Sequence, residues 1–261
     1  MLINYQTLSD DEVGIWRELG KGLTWKDQDQ HCSLTVKHFI TIFCLFCYSN
    51  IIGQPKIYDI PVYKNGDTSF AYILKNNERE KLGLVDLKTS PDSFHFRCWT
   101  ETQTIDIWTA DGVHYQGQLS NYTEKVNDPK WGKSYSEKIL LDSNTIASIR
   151  DKLLECSILE IPKQDSISGW KDGLDGEEFA MEFADRNRYF FKAYWSPDFY
   201  KEIKEAIFVH NFITYLFTGL KLRSKWFAFV KKLPKGCYKA GGILMTCPKM
   251  TEKEIKGRDY N

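Results

Sequence analysis

Four acids crowd into the glycine-rich stretch GWKDGLDGEE, residues 169–178, where Asp172, Asp175, Glu177 and Glu178 fall within seven residues. Oxygen-rich turns of this kind suit hard cations such as calcium. Paired carboxylates also serve as general acid and base in hydrolases. The spacing does not follow an EF-hand, which needs acids at alternate positions and a Glu at the twelfth. A simpler reading is a tight turn that feeds a hairpin and leaves its carboxylates in water. Asp-Gly, a strong turn dipeptide, occurs twice here. No metal or other cofactor is assigned on this pattern.

The other chemistry-bearing residues are sparse. His95 and His114 sit on neighbouring candidate strands, where zinc would need three or four ligands. Beyond residue 54, no H-x-x-x-H or C-x-x-C pair starts such a site, so surface or partly buried histidines are expected. Cys237 and Cys247 bracket a short glycine-rich loop, CYKAGGILMTC, and form the best-placed disulfide pair. Cys98 and Cys156 lie on apolar faces and read as core thiols. There is no G-x-S-x-G nucleophile elbow, no G-x-x-x-x-G-K-[ST] phosphate loop and no G-x-G-x-x-G. Trp99, Trp108, Trp131 and Trp170 would suit stacking on sugars if exposed, although packing in the core or on a sheet face is the expectation.

These residues need elements to position them. SFHFRCWT (93–100) alternates, with Phe94, Phe96 and Cys98 on one face and His95, Arg97 and Trp99 on the other. QTIDIWTADG (103–112) alternates too and ends in the hairpin signal Asp111-Gly112, after which residues 113–123 return. SEKILLD (136–142) is strand-like. The stretch that follows opens on a Ser143/Asn144 cap and places Ile146, Ile149, Leu153 and Cys156 at helical spacing. EEFAMEFADRNRYFFKAYW (177–195) reads as a hairpin, and residues 198–220 as a second helix that stops near Gly219. Residues 69–84 fit either a short helix or a strand and turn. The fold class expected is α+β: an antiparallel sheet, made of a meander plus a hairpin, with two main helices packed on it.

The loop GWKDGLDG, followed by YFFKAYWSP and then a helix, resembles a pattern in uncharacterised exported, signal-peptide-bearing proteins of Gram-negative bacteria. The residues that carry it are Gly169, Trp170, Asp172, Gly173, Asp175, Gly176, Tyr194, Trp195, Ser196 and Pro197. The resemblance covers roughly residues 140–220 and implies export and a shared fold, but no activity.

A second feature also points to export. Lys37 and His38 precede an apolar run, Phe39 to Tyr48, and small residues follow. The run is short for a membrane span, which needs roughly 20 apolar residues. Residues 36–53 are therefore expected to be a signal peptide whose translation starts at Val36, with an anchor formed by residues 39–52 as the alternative. Cleavage is expected after Ser49 or Gly53. Residues 1–35 then form a non-native or unstructured upstream extension. They carry three Lys/Arg against six Asp/Glu, a poor cytoplasmic flank. Residues 54–220 form the α+β domain.

Residues 219–261 hold eleven Lys/Arg against three Asp/Glu. The basic segment 221–261 is expected to dock its apolar side on the domain, and its stretch 221–256 to be able to touch anionic surfaces. Over the whole chain Lys plus Arg equals Asp plus Glu at 35 each, so no global field points to nucleic acid. The functional expectation is an exported binding or structural module rather than an enzyme. The alternative is a secreted or periplasmic hydrolase that uses carboxylates near the DGLDG loop.

Overall fold

A computed structural model describes residues 55–62, 66–126, 133–173, 175–242, 244–252 and 255. The expected upstream extension, the signal peptide or anchor, and Trp131 lie outside the described residues. Within 55–261 the chain forms one compact unit.

Its centre is a seven-stranded sheet of order β1-β7-β6-β2-β3-β4-β5. The strands are β1 (Ile57–Asp59), β2 (Phe94–Trp99), β3 (Gln103–Thr109), β4 (Gln116–Glu124), β5 (Ser134–Leu140), β6 (Glu178–Ala184) and β7 (Arg188–Trp195). Strands β2 to β4 are the expected meander, β5 is the strand-like stretch after it, and β6–β7 is the expected hairpin. β6 inserts beside β2, antiparallel, with Arg97 opposite Glu182. The sheet is nevertheless mixed. β1 pairs parallel to β7, with Ile57 opposite Arg188. Its three exposed residues carry no alternation, so periodicity could not reveal it.

Four helices of eleven residues or more are described, where two main ones were expected. These are α1 (Phe70–Lys81), α2 (Ser143–Glu155), α3 (Lys204–Gly219) and α4 (Leu222–Lys232). The ambiguous stretch 69–84 is therefore helical. The cap of α2 is Asp142, not Ser143 or Asn144: its carboxylate accepts the Thr145 N–H at 2.9 Å. α3 begins six residues later than expected. Pro197–Phe199 makes a separate 3₁₀ turn after Ser196, whose φ is +38°. The Tyr200 hydroxyl then donates to the Lys171 carbonyl at 2.6 Å, tying this corner to the acidic loop.

The alternation of the strands sorts two faces. Phe96, Cys98, Ile105, Ile107, Leu119 and Met181 pack under α2 and α3, against Ile149, Leu153, Phe212 and Leu216. On the opposite face Trp99, Tyr122, Tyr189 and Phe191 meet Ala71 of α1 together with Leu84 and Leu87 behind it. The result is three layers, helices on both faces of the sheet. α4 buries Trp226, Phe229 and Val230 beside Leu233 and Tyr238. A short hairpin, β8 (Tyr238–Lys239) with β9 (Met245–Thr246), closes the fold and carries the Cys237–Cys247 disulfide. Among the described residues, no helix is long and apolar enough to cross a membrane.

Candidate binding clefts around Glu101

The turn Thr100–Thr102 joins β2 to β3, and its Glu101 projects where two clefts meet. One cleft, about 600 Å³, runs between α1 and the β8–β9 hairpin. The other, about 480 Å³, lies between α4, the end of α3 and the far side of the same hairpin. Both volumes fall within the usual range of ligand sites, roughly 300–1,000 Å³. Glu101 and Thr102 line both. Gly241, at φ +103°, lines the first cleft, and a β-carbon there would overlap the Glu101 carboxylate. Only glycine tolerates both that backbone angle and that approach.

The first cleft is rimmed by charges already tied to one another. Glu124 holds Lys81 at 2.9 Å and Lys239 at 2.6 Å, and Glu78 holds Lys75 at 2.8 Å. Burial pushes the Glu124 carboxyl up, but hydrogen bonds from Lys239 and Lys81 outweigh this and hold it below the ordinary value.

The second cleft differs. Its floor is aromatic, with Phe179 and Trp226 buried, Phe217 half-buried and Phe227 exposed. Its polar lining includes Glu101, Glu177 and Arg223. Among the described residues, none of these three side chains makes a hydrogen bond or ion pair. Burial raises the Glu101 carboxyl above the usual carboxylate range; Glu177 adds to the rise and Lys75 opposes it. A carboxyl raised in this direction is suited to general acid chemistry. Unpaired charges over an aromatic floor can equally hold a ligand.

The fold separates the four acids of the DGLDGEE stretch. Glu177 enters the aromatic cleft. Asp172 and Glu178 face a third cavity, about 160 Å³, with Gln164, Lys163, Phe70 and Leu74. The Gln164 amide donates to Asp172. Burial and the Asp172 charge raise the Glu178 carboxyl, against Lys75. Asp175 is exposed and lines none of these cavities. Among the described residues, no cluster of His, Cys, Asp and Glu is placed to hold a metal ion.

The loop itself is a packing device. Trp170 is buried, stacks on Tyr194 at 5.4 Å and donates its indole N–H to the Trp195 carbonyl at 2.9 Å. Gly173 and Gly176 lie so close to the Trp195 indole that a β-carbon at either would overlap it. GWKDGLDG and YWSP are therefore two sides of one contact. Trp99 and Trp170 are fully enclosed and offer no sugar platform, while Trp108 stacks on His95 at 5.6 Å.

The histidines end in separate settings. His114 is exposed and held by Asp111 at 2.6 Å. His95 is buried between two carboxylates, with Nδ1 3.0 Å from Asp92 and Nε2 3.2 Å from Asp106. It belongs to a buried polar network on the α1 side of the sheet. Arg97 donates to Asp106 at 2.6 Å and to the Val85 carbonyl at 3.1 Å. Glu182 accepts from the Trp99 indole at 2.6 Å and from the Tyr189 hydroxyl at 2.9 Å. Strand register creates this network, because Arg97 stands directly opposite Asp106 on β3 and Glu182 on β6. Cys98 and Cys156 are buried free thiols, as expected of core residues.

Sequence reasoning did not find Glu101, Arg223 or the Arg97 network. For Glu101 a signal exists: it is an acid in a two-residue gap between strongly alternating strands, a loop tip presented by a rigid scaffold. For Arg223 there is none, since it is one cation among many in a basic segment. No protein-family model matches the chain, and no curated protein or solved structure matches it either.

Proposed function

We propose that the protein is an exported, non-enzymatic binding module, and that the paired clefts around Glu101 are where it binds. One observation carries the binding site: both clefts converge on a half-buried carboxylate that has no ion-pair partner among the described residues, while the neighbouring lysines are taken up by other acids. Export is supported by the basic-then-apolar stretch from Lys37 to Tyr48 and by the resemblance of the GWKDGLDG and YWSP residues. A Cys237–Cys247 disulfide is in keeping with an oxidising compartment.

The site is tested by screening a fragment library with ¹H–¹⁵N NMR on the full chain. The expected hits shift the amides of Glu101, Thr102, Ala240 and Gly241; hits that cluster elsewhere on the surface would sink the assignment. Export is tested by N-terminal sequencing from the native host. A mature terminus at Asn50 or Gln54 supports it, and an intact Met1 in the soluble cytoplasmic fraction defeats it.

The raised Glu101 carboxyl beside Glu177 favours one second reading, a hydrolase with Glu101 as general acid and Glu177 as the second carboxyl. Mass spectrometry of bound fragments separates the two: a module returns them intact, whereas a hydrolase returns cleaved products that disappear in Glu101→Gln.

A further inference from the structure

The aromatic cleft indicates what kind of ligand enters it. Phe217 and Phe227, backed by the buried Phe179 and Trp226, line a cleft of about 480 Å³, room for an aromatic or branched aliphatic group. Above it stand two carboxylates and one guanidinium, and none of the three has an ion-pair or hydrogen-bond partner among the described residues. This leaves one negative charge uncompensated in a partly desolvated place. Burial raises the Glu101 carboxyl above its ordinary value, with Glu177 adding to the rise and Lys75 opposing it, the direction expected of a half-buried acid beside a like charge. A ligand ammonium group would relieve that repulsion and gain charge-assisted hydrogen bonds. A ligand carboxylate would add a third negative charge. The exposed Phe227 ring adds a surface of the kind that attracts cations.

From this we infer that the cleft binds small amphiphilic amines, with the ammonium group held between Glu101 and Glu177 and an apolar body on Phe217, Trp226 and Phe227. The inference rests on the binding-module reading and specifies its ligand. It accounts for two features together: the excess of carboxylates over the single guanidinium, and the ring floor.

The test compares two probes of matched size and opposite charge, phenethylamine and hydrocinnamate, titrated into the full chain by ¹H–¹⁵N NMR. Phenethylamine is expected to shift the Glu101 and Thr102 amides and the Trp226 indole saturably, and hydrocinnamate to leave them in place. Glu101→Gln and Glu177→Gln are near-isosteric, and their spectra report directly whether the fold is kept. Each is expected to weaken phenethylamine by about tenfold, the loss of one charged contact. No saturable shift with phenethylamine, equal binding of the two probes, or unchanged affinity in both variants overturns the inference. Saturation of the same residues by hydrocinnamate or by neutral fragments would overturn the charge assignment and leave the binding module standing. A cleft that answers to no fragment at all removes both.

Discussion

Arg97 shows how one side chain can hold a whole face of the sheet together. It is buried, and it neutralises two buried carboxylates, Asp106 and Glu182, on the strands to either side. Burial pushes the Asp106 carboxyl up, but Arg97 and the hydrogen bonds from His95 and Arg97 outweigh this and hold it below its ordinary value. A carboxyl whose folded value is depressed contributes stability above the unfolded value, near 3.9, and loses it as pH falls through the folded one. Asp106→Asn is therefore expected to cost about 3 kcal/mol at neutral pH, because it leaves Arg97 with only Glu182 as a charged partner. Urea titrations at several pH values should show that gap steady above about pH 5 and narrowing below about pH 4.

Lys192 gives the opposite pattern. It is buried and donates to the Leu159 and Ile161 carbonyls, and burial pulls it down to about 8, with Asp59 opposing the shift. The fold therefore favours the neutral amine. The penalty is full below pH 8 and fades as pH approaches the unfolded value near 10.4. Relative to Lys192→Met, the native chain should gain stability between those limits. A flat difference across that window would show that Lys192 does not titrate on unfolding.

At the scale of elements, the acidic loop and the terminal hairpin each depend on one close contact. Gly173 and Gly176 let the loop lie flat on the Trp195 indole, and the resulting seal also encloses Trp170. Gly173→Ala should cost about 1–3 kcal/mol, the usual penalty for forcing extra volume into a packed site. It should also expose Trp170, readable as a red shift in its emission. The disulfide closes a hairpin of ten-residue separation that walls both clefts. Chain-entropy arguments assign such a loop about 2–3 kcal/mol. Reduction should therefore loosen residues 237–247 locally, seen as faster amide exchange there and unchanged exchange in β2, β3 and β6.

At the scale of the molecule, helix α4, the start of the basic C-terminal segment, is part of the packed fold. Leu222, Trp226, Phe229 and Val230 are buried, the Trp226 indole donates to the Tyr122 carbonyl at 3.3 Å, and Gln103 donates to the Leu222 carbonyl at 3.0 Å. The cations along the same helix stay outward: Arg223, Lys231 and Lys232 are exposed. Truncation after Lys221 should abolish cooperative thermal unfolding, because it uncovers the aromatic residues of two clusters. A truncated chain that still melts in one sharp transition would show that α4 is an accessory. Contact with anionic surfaces should therefore be tested by charge reversal at Arg223 and Lys231 rather than by deletion.

The sequence by itself determined the strands β2 to β7, the two long helices and the pairing of Cys237 with Cys247. Each of these is written in local periods, caps and spacing, which depend on neighbours a few residues apart. It also brought out the acidic loop as a unit, although not its purpose. The insertion of β6 beside β2, the parallel β1, the pairing of Arg97 with two distant acids and the meeting of Glu101, Glu177 and Arg223 were decided by tertiary structure alone. These arise when strands and helices far apart in sequence settle beside one another, and their cause is the burial of two apolar faces at once. A carboxylate in a turn looks the same in sequence whether it faces water or a cleft. Only the packing around it sets its charge, its partners and what it can bind.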